Sequence, residues 1–189
     1  MSQLSICVFC GANQGILPAY AATAVELGKA LAENQWRLVY GAGDVGLMGT
    51  LARATESSDG TTLGVIPSHL YNREIAKTDI TQFVVTETMH ERKKVMFMNC
   101  DVIVVLPGGA GSLDEFFEVL TWRQLALHQK PIYLLNTENY WAPLNALLDH
   151  IVEQGFADKS LLGYVKTINA IPALVAQIKL DLDLQVPSD

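Results

Sequence analysis

With 189 residues, half of them apolar, and a formal charge of −7, the chain has the size and composition of one globular domain with a substantial core. The acidic balance, with no run of lysines and arginines, excludes the basic footprint that nucleic-acid binding needs. No apolar run approaches the roughly 20 residues that cross a bilayer, so no membrane partner is expected. The amino terminus passes from Met1-Ser2-Gln3 straight into the strand-like stretch 4–10. No signal peptide is expected there, and a cytoplasmic location follows as an expectation. A helical pattern covers 18–34, a strand 37–40 and a helix 45–57, followed by strands at 62–66 and 81–85. A helix at 89–99 then leads into a strand at 101–106, a helix at 112–127 and a strand at 131–135. A helix at 142–153, a strand at 165–168 and a helix at 172–180 complete the chain. Strands and helices that alternate in this way predict an α/β fold with a central parallel sheet flanked by helices. Residues 1–180 read as a single domain, and 181–189 as an acidic tail.

Cys7 and Cys10 have C-x-x-C spacing, yet residues three apart on a strand point to opposite faces, so a shared metal or redox bond is not expected. Cys100 reads as a core residue too. His69, His90, His128 and His150 lack metal-ligand spacing, and no metal is predicted.

Two glycine-rich turns follow strands. In the first, Gly41, Gly43 and Gly46 satisfy G-x-G-x-x-G, but a dinucleotide site also needs an acid at the end of the next strand, and Val65-Ile66-Pro67-Ser68-His69 supplies none. This loop reads as a phosphate cradle, as a wall of a pocket, or as a tight turn in which Gly49 serves close packing. The second turn, Pro107-Gly108-Gly109-Ala110-Gly111-Ser112, follows the β-branched run Val102–Leu106 and opens a helix containing Asp114 and Glu115. Glycines let the backbone approach a ligand, and free N–H groups at a helix start attract anions, so a nucleotide or sugar phosphate is the expected occupant. Ser112-Leu113-Asp114-Glu115 is also the capping-box pattern, which would make Glu115 a cap. Two acids beside an anion loop repel the anion unless one of them serves the ligand's chemistry, which favours a functional Glu115. In Met89-His90-Glu91-Arg92-Lys93-Lys94, cations at a helix start oppose its dipole. Arg92 is the stronger functional candidate, because a guanidinium makes several directed hydrogen bonds at once.

With these residues assembled, the chain resembles the LOG family, the cytokinin riboside 5′-monophosphate phosphoribohydrolases, a group often mislabelled as lysine decarboxylases. The resemblance rests on Met89-His90-Glu91-Arg92-Lys93, on Pro107-Gly108-Gly109-Ala110-Gly111-Ser112 with Glu115, on Tyr40-Gly41-Ala42-Gly43 with Gly46-Leu47-Met48-Gly49, and on Thr121-Trp122-Arg123-Gln124-Leu125. Ser112 stands in place of the usual Thr and Ala42 in place of a frequent Gly. The resemblance implies a Rossmann-like three-layer sandwich and a homodimer. It further implies hydrolysis of the N-glycosidic bond of a purine nucleoside 5′-monophosphate, without a cofactor. Arg92 and Glu115 would be the catalytic pair. Gly108, Gly109, Gly111 and Ser112 would hold the phosphate with Gly43 lining the same pocket, and Met89 and Lys93 would belong to the substrate pocket. The competing class is a non-catalytic carrier of a nucleotide or of molybdenum cofactor, which also needs a phosphate cradle. Neither the base, adenine or N6-substituted adenine, nor a role for Asp114 follows from the sequence.

Overall fold

A computed structural model describes residues 3–71 and 76–182. Strands β1 (Ser5–Phe9), β2 (Arg37–Tyr40), β3 (Thr62–Pro67), β4 (Gln82–Thr86), β5 (Val102–Val105), β6 (Ile132–Leu135) and β7 (Val165–Ile168) alternate with helices. The helices are α1 (Pro18–Glu33), α2 (Gly46–Glu56), α3 (Met89–Met98), α4 (Ala110–Gln124), α5 (Ala142–Glu153) and α6 (Ile171–Asp181). All seven strands pair in parallel, in the order β4-β3-β2-β1-β5-β6-β7.

The sheet is buried because its central strands are apolar on both faces. Along β1, Ile6, Val8 and Cys10 join one core with α1, α2 and α6, while Cys7 and Phe9 join a second core with α3, α4 and α5. Strand β5 divides in the same way, Val102 and Val104 to the first core and Ile103 and Val105 to the second. This is the expected signature of a sheet with helices on both sides. Cys7 and Cys10 thus lie on opposite faces, as their spacing predicts. The outer strands β4 and β7 are only partly covered.

Most boundaries fall within a residue or two of the predicted ones; α4 departs further. It starts at Ala110 rather than Ser112 and stops at Gln124, because Ala126 turns left-handed with φ 56°. The sequence also leaves unmarked three short 3-10 turns, at Ser68–Leu70, Thr137–Asn139 and Lys159–Tyr164. Asp181, counted with the tail in the sequence, is the last residue of α6. Its carboxylate accepts from the Tyr133 hydroxyl at 2.6 Å, from Lys166 Nζ at 2.6 Å and from Gln177 Nε2 at 2.8 Å. Burial raises the Asp181 pKa, but these donors outweigh it and hold the carboxyl below the usual range. The rest of the predicted tail, 183–189, lies outside the described residues.

Both β1 and β5 end at the point where strand order reverses, since the chain runs outward from β1 through β4 and returns to lay β5 beside β1. In open α/β sheets, ligands bind in the crevice at such a switch point. The two loops leave side by side here: the Leu106 N–H reaches the Phe9 carbonyl at 2.9 Å, and the Gly11 N–H reaches that of Pro107 at 3.0 Å.

Candidate active site

A cavity of about 430 Å³ opens at this switch point, within the size range of small-ligand sites. The β1 loop contributes Gly11 to Gly15, the β5 loop and α4 contribute Pro107, Gly108, Gly109, Gly111, Ser112 and Glu115, and α3 contributes Met89 and Arg92. Leu47, Met48, Leu70, Tyr20 and Tyr140 complete much of its wall.

The start of α4 explains the polar end. Gly109 is its N-cap, and no side chain caps the helix there. The first intrahelical bond runs from the Leu113 N–H to the Gly109 carbonyl at 3.1 Å. Amides before Leu113 therefore lack helical partners at the positive end of the dipole. The capping-box reading of Ser112 and Glu115 fails, because the helix begins before Ser112 and places Glu115 in its second turn. Glu115 lines the cavity while only 9 % exposed. Gly108 is demanded by contact: a Cβ there would run into Ser112.

The capping box forms instead on α3. The Thr88 hydroxyl accepts from the Glu91 N–H at 3.2 Å, and the Glu91 carboxylate accepts from the Thr88 N–H at 3.2 Å. Glu91 thereby satisfies the helix start that the neighbouring cations oppose. At the other end, Lys130 Nζ donates to the carbonyls of Phe97 at 2.5 Å and Cys100 at 2.6 Å, a cation where the dipole favours one.

Arg92 is buried, 4 % exposed. Its Nε donates to the Val65 carbonyl at 3.1 Å and its Nη2 to the Gly41 carbonyl at 2.8 Å, while Nη1 lies 3.8 Å from Met89 Sδ. The guanidinium is thus fixed to the ends of β2 and β3 before any ligand arrives. This anchoring explains Gly41, since a Cβ at that position would overlap Arg92 Nη2.

Lys93 does not line the cavity. Its ammonium sits 2.9 Å from Asp114 and 3.2 Å from Glu118, joining α3 to α4 from the residues adjoining Arg92 and Glu115. Burial pushes the Lys93 ammonium down, but the hydrogen bonds and charges of Asp114 and Glu118 outweigh it and hold it above its ordinary value. Lys93, expected in the substrate pocket, thus stands outside the cavity lining in a clamp that also holds Asp114. Lys93→Met should lower unfolding stability by about 1–3 kcal/mol, because two carboxylates lose their cation; urea titration of the two proteins measures the difference.

Gly43 is also outside the lining. It pairs with Ala76 in an isolated antiparallel bridge, beside a 2.9 Å bond from the Lys77 N–H to the Ala42 carbonyl. The first glycine loop contributes to the cavity wall through Leu47 and Met48. Gly46 serves its shape: φ is 55°, and a Cβ there would strike the backbone of Ala12 and Asn13. The tight-turn reading holds as well, since a Cβ on Gly49 would come within 2.6 Å of the Asp44 carbonyl carbon.

Sequence reasoning missed Asn13, Gln14, Tyr20, Leu70 and Tyr140. The switch-point rule applied to the predicted strand order would have marked the loop after β1. Nothing local marks Tyr140.

Among the described residues, no group of three or more His, Cys, Asp or Glu is placed to hold a metal ion, and no helix is long and apolar enough to cross a membrane.

A doubly wound parallel sheet, with an uncapped helix start, a buried carboxyl and an anchored guanidinium gathered around the crevice at its switch point, defines a Rossmann-like α/β protein. The family model described as possible lysine decarboxylase matches residues 48–178. The cytokinin riboside 5′-monophosphate phosphoribohydrolase of Rhodococcoides fascians is 43 % identical over 176 residues, 93 % of this chain and 89 % of that one. An Arabidopsis thaliana enzyme of the same name is 44 % identical over 151 residues, 80 % of this chain and 70 % of that one. Among solved structures, the molybdenum cofactor binding protein of Rippkaea orientalis superimposes with a TM-score of 0.71 at 24 % identity, over 96 % of this chain and 99 % of that one, a likeness of fold. The chain belongs to the LOG family of phosphoribohydrolases.

Proposed function

We propose that this phosphoribohydrolase cleaves the N-glycosidic bond of a purine riboside 5′-monophosphate, AMP or an N6-substituted relative, to the free base and ribose 5-phosphate. The observation that carries this reading is the buried carboxyl of Glu115, which shares a cavity with the uncapped start of its own helix. The 5′-phosphate binds at the amides around Gly109, Gly111 and Ser112, and its binding energy holds C1′ of the ribose in register with the carboxylate. As the base departs, positive charge develops on the ribose. Glu115 stabilises that charge and orients or deprotonates the attacking water. Arg92 orients Glu115 or supports the base as negative charge gathers on it. Leu47, Met48, Leu70 and Met89 supply apolar wall for a planar base.

The proposal extends to a cytoplasmic homodimer. Met98 at the end of α3, with Leu125 and Leu127 just beyond α4, are large apolar side chains left 68 %, 63 % and 67 % exposed, as suits a covered face.

Incubating the purified protein with a panel of purine nucleoside 5′-monophosphates, and following free base and ribose 5-phosphate, tests the reaction. Stoichiometric release of both products from at least one member is expected. Tight nucleotide binding with no release from any would favour a carrier instead.

A further inference from the structure

The turn between β6 and α5 carries backbone strain at the edge of the cavity. Glu138 and Asn139 both have positive φ, 52° and 57°, and two successive non-glycine residues in the left-handed region are disfavoured. The surroundings enforce the turn. Asn136 Nδ2 donates to the side-chain oxygens of Asn139 and Asn169, each at 3.1 Å, and its Oδ1 accepts from the Trp141 N–H at 2.8 Å. The Asn136 N–H reaches the Ile168 carbonyl at 2.7 Å, and the Thr137 hydroxyl meets that of Thr23 on α1 at 3.1 Å. What this arrangement delivers to the cavity is Tyr140. Its hydroxyl donates to the Gly108 carbonyl at 2.6 Å, and its ring meets Tyr20 edge-on at 5.7 Å between centroids.

With its proton committed to Gly108, that hydroxyl has none to offer an anion, so Tyr140 is no direct phosphate ligand. Its effect passes through the peptide. The Gly108 carbonyl and the Gly109 N–H belong to one planar trans unit and point in opposite directions, so fixing one fixes the other. Between two glycines that peptide would otherwise rotate with little hindrance.

We propose that Tyr140 is a positioning residue of the anion cradle: its hydroxyl locks the Gly108–Gly109 peptide in the orientation that receives the 5′-phosphate, while its ring and that of Tyr20 wall the crevice alongside. This deepens, and rests on, the phosphoribohydrolase reading. Strain held at a ligand site is the expected cost of such pre-organisation.

Calorimetry with ribose 5-phosphate on the full chain separates the lock from the chemistry. In Tyr140→Phe, which keeps the ring and loses the bond, the Kd for ribose 5-phosphate and the KM for the nucleotide should each rise roughly fivefold. The kcat should stay within about twofold, the KM-against-kcat split of lost uniform binding. Affinity for adenine, which carries no phosphate, should not change. Tyr140→Leu should weaken ribose 5-phosphate further and leave adenine alone. Unchanged Kd and KM in Tyr140→Phe, or an equal loss of affinity for adenine, would overturn the lock, as would a wild-type protein that takes up no ribose 5-phosphate. Tyr140-dependent binding in a protein that releases no base would instead overturn the hydrolase reading and leave the lock standing.

Discussion

Glu115→Gln should bind purine nucleoside 5′-monophosphates with an affinity close to wild type and release base at least 10²-fold more slowly, since a positioned acid–base group contributes about 10²–10⁴-fold. The amide matches the carboxylate in size and can still accept a hydrogen bond, so the cavity wall keeps its shape. In the proposed mechanism, what disappears is the negative charge that faces the ribose as it becomes cationic, together with the capacity to take a proton from water. Binding should survive because the proposed phosphate site, the main-chain amides before Leu113 at the start of α4, is not touched by the substitution. Measuring kcat beside nucleotide affinity by calorimetry separates the two effects. Near-normal turnover would remove Glu115 from the mechanism.

Gly41→Ala should disable the enzyme nearly as completely as Arg92→Ala. The backbone does not object to alanine, because Gly41 is not among the left-handed glycines. The objection is the guanidinium: an added Cβ would overlap Arg92 Nη2 and lie 3.0 Å from Arg92 Cζ and 3.1 Å from Met48 Sδ. A planar group pinned to two carbonyls cannot slide aside without losing them. The expected result is a fall in kcat of about 10²-fold and a loss of roughly 1–3 kcal/mol of stability from imperfectly satisfied buried polar groups. The double variant Gly41→Ala/Arg92→Ala should be no worse in turnover than Arg92→Ala alone, because both act through one side chain. Additive losses, or a Gly41→Ala enzyme of ordinary speed, would show that Arg92 does not need this seat.

The contact between Gly41 and Arg92 is not announced by the neighbours of either. The sequence marks Gly41 as one of three glycines in a loop and Arg92 as the stronger functional candidate among three cations on a helix, with nothing to join the two. Their dependence on each other arises only when α3 packs across the ends of β2 and β3 and the guanidinium reaches the Gly41 and Val65 carbonyls. Lys93 shows the same limit from the other side. Next to Arg92 in sequence, it leaves the helix in a different direction and meets Asp114 and Glu118 instead of lining the cavity. One residue along a helix is a turn of about 100°, enough to separate a cavity-lining residue from a clamp.

Local chemistry was sufficient to reveal the alternating strands and helices, both faces of β1 and β5, the glycine turn after β5 and the carboxyl that follows it. Apolar periodicity, β-branching and glycine each act over a few residues, so they can be read without the fold. Tertiary packing alone settled where α4 begins, which cations turn inward, that Gly43 is tied to Ala76 rather than to the cavity, and that Tyr140 arrives from beyond β6 to grip Gly108. Those features depend on contacts between segments far apart in the chain, and only the closed sheet determines which segments meet.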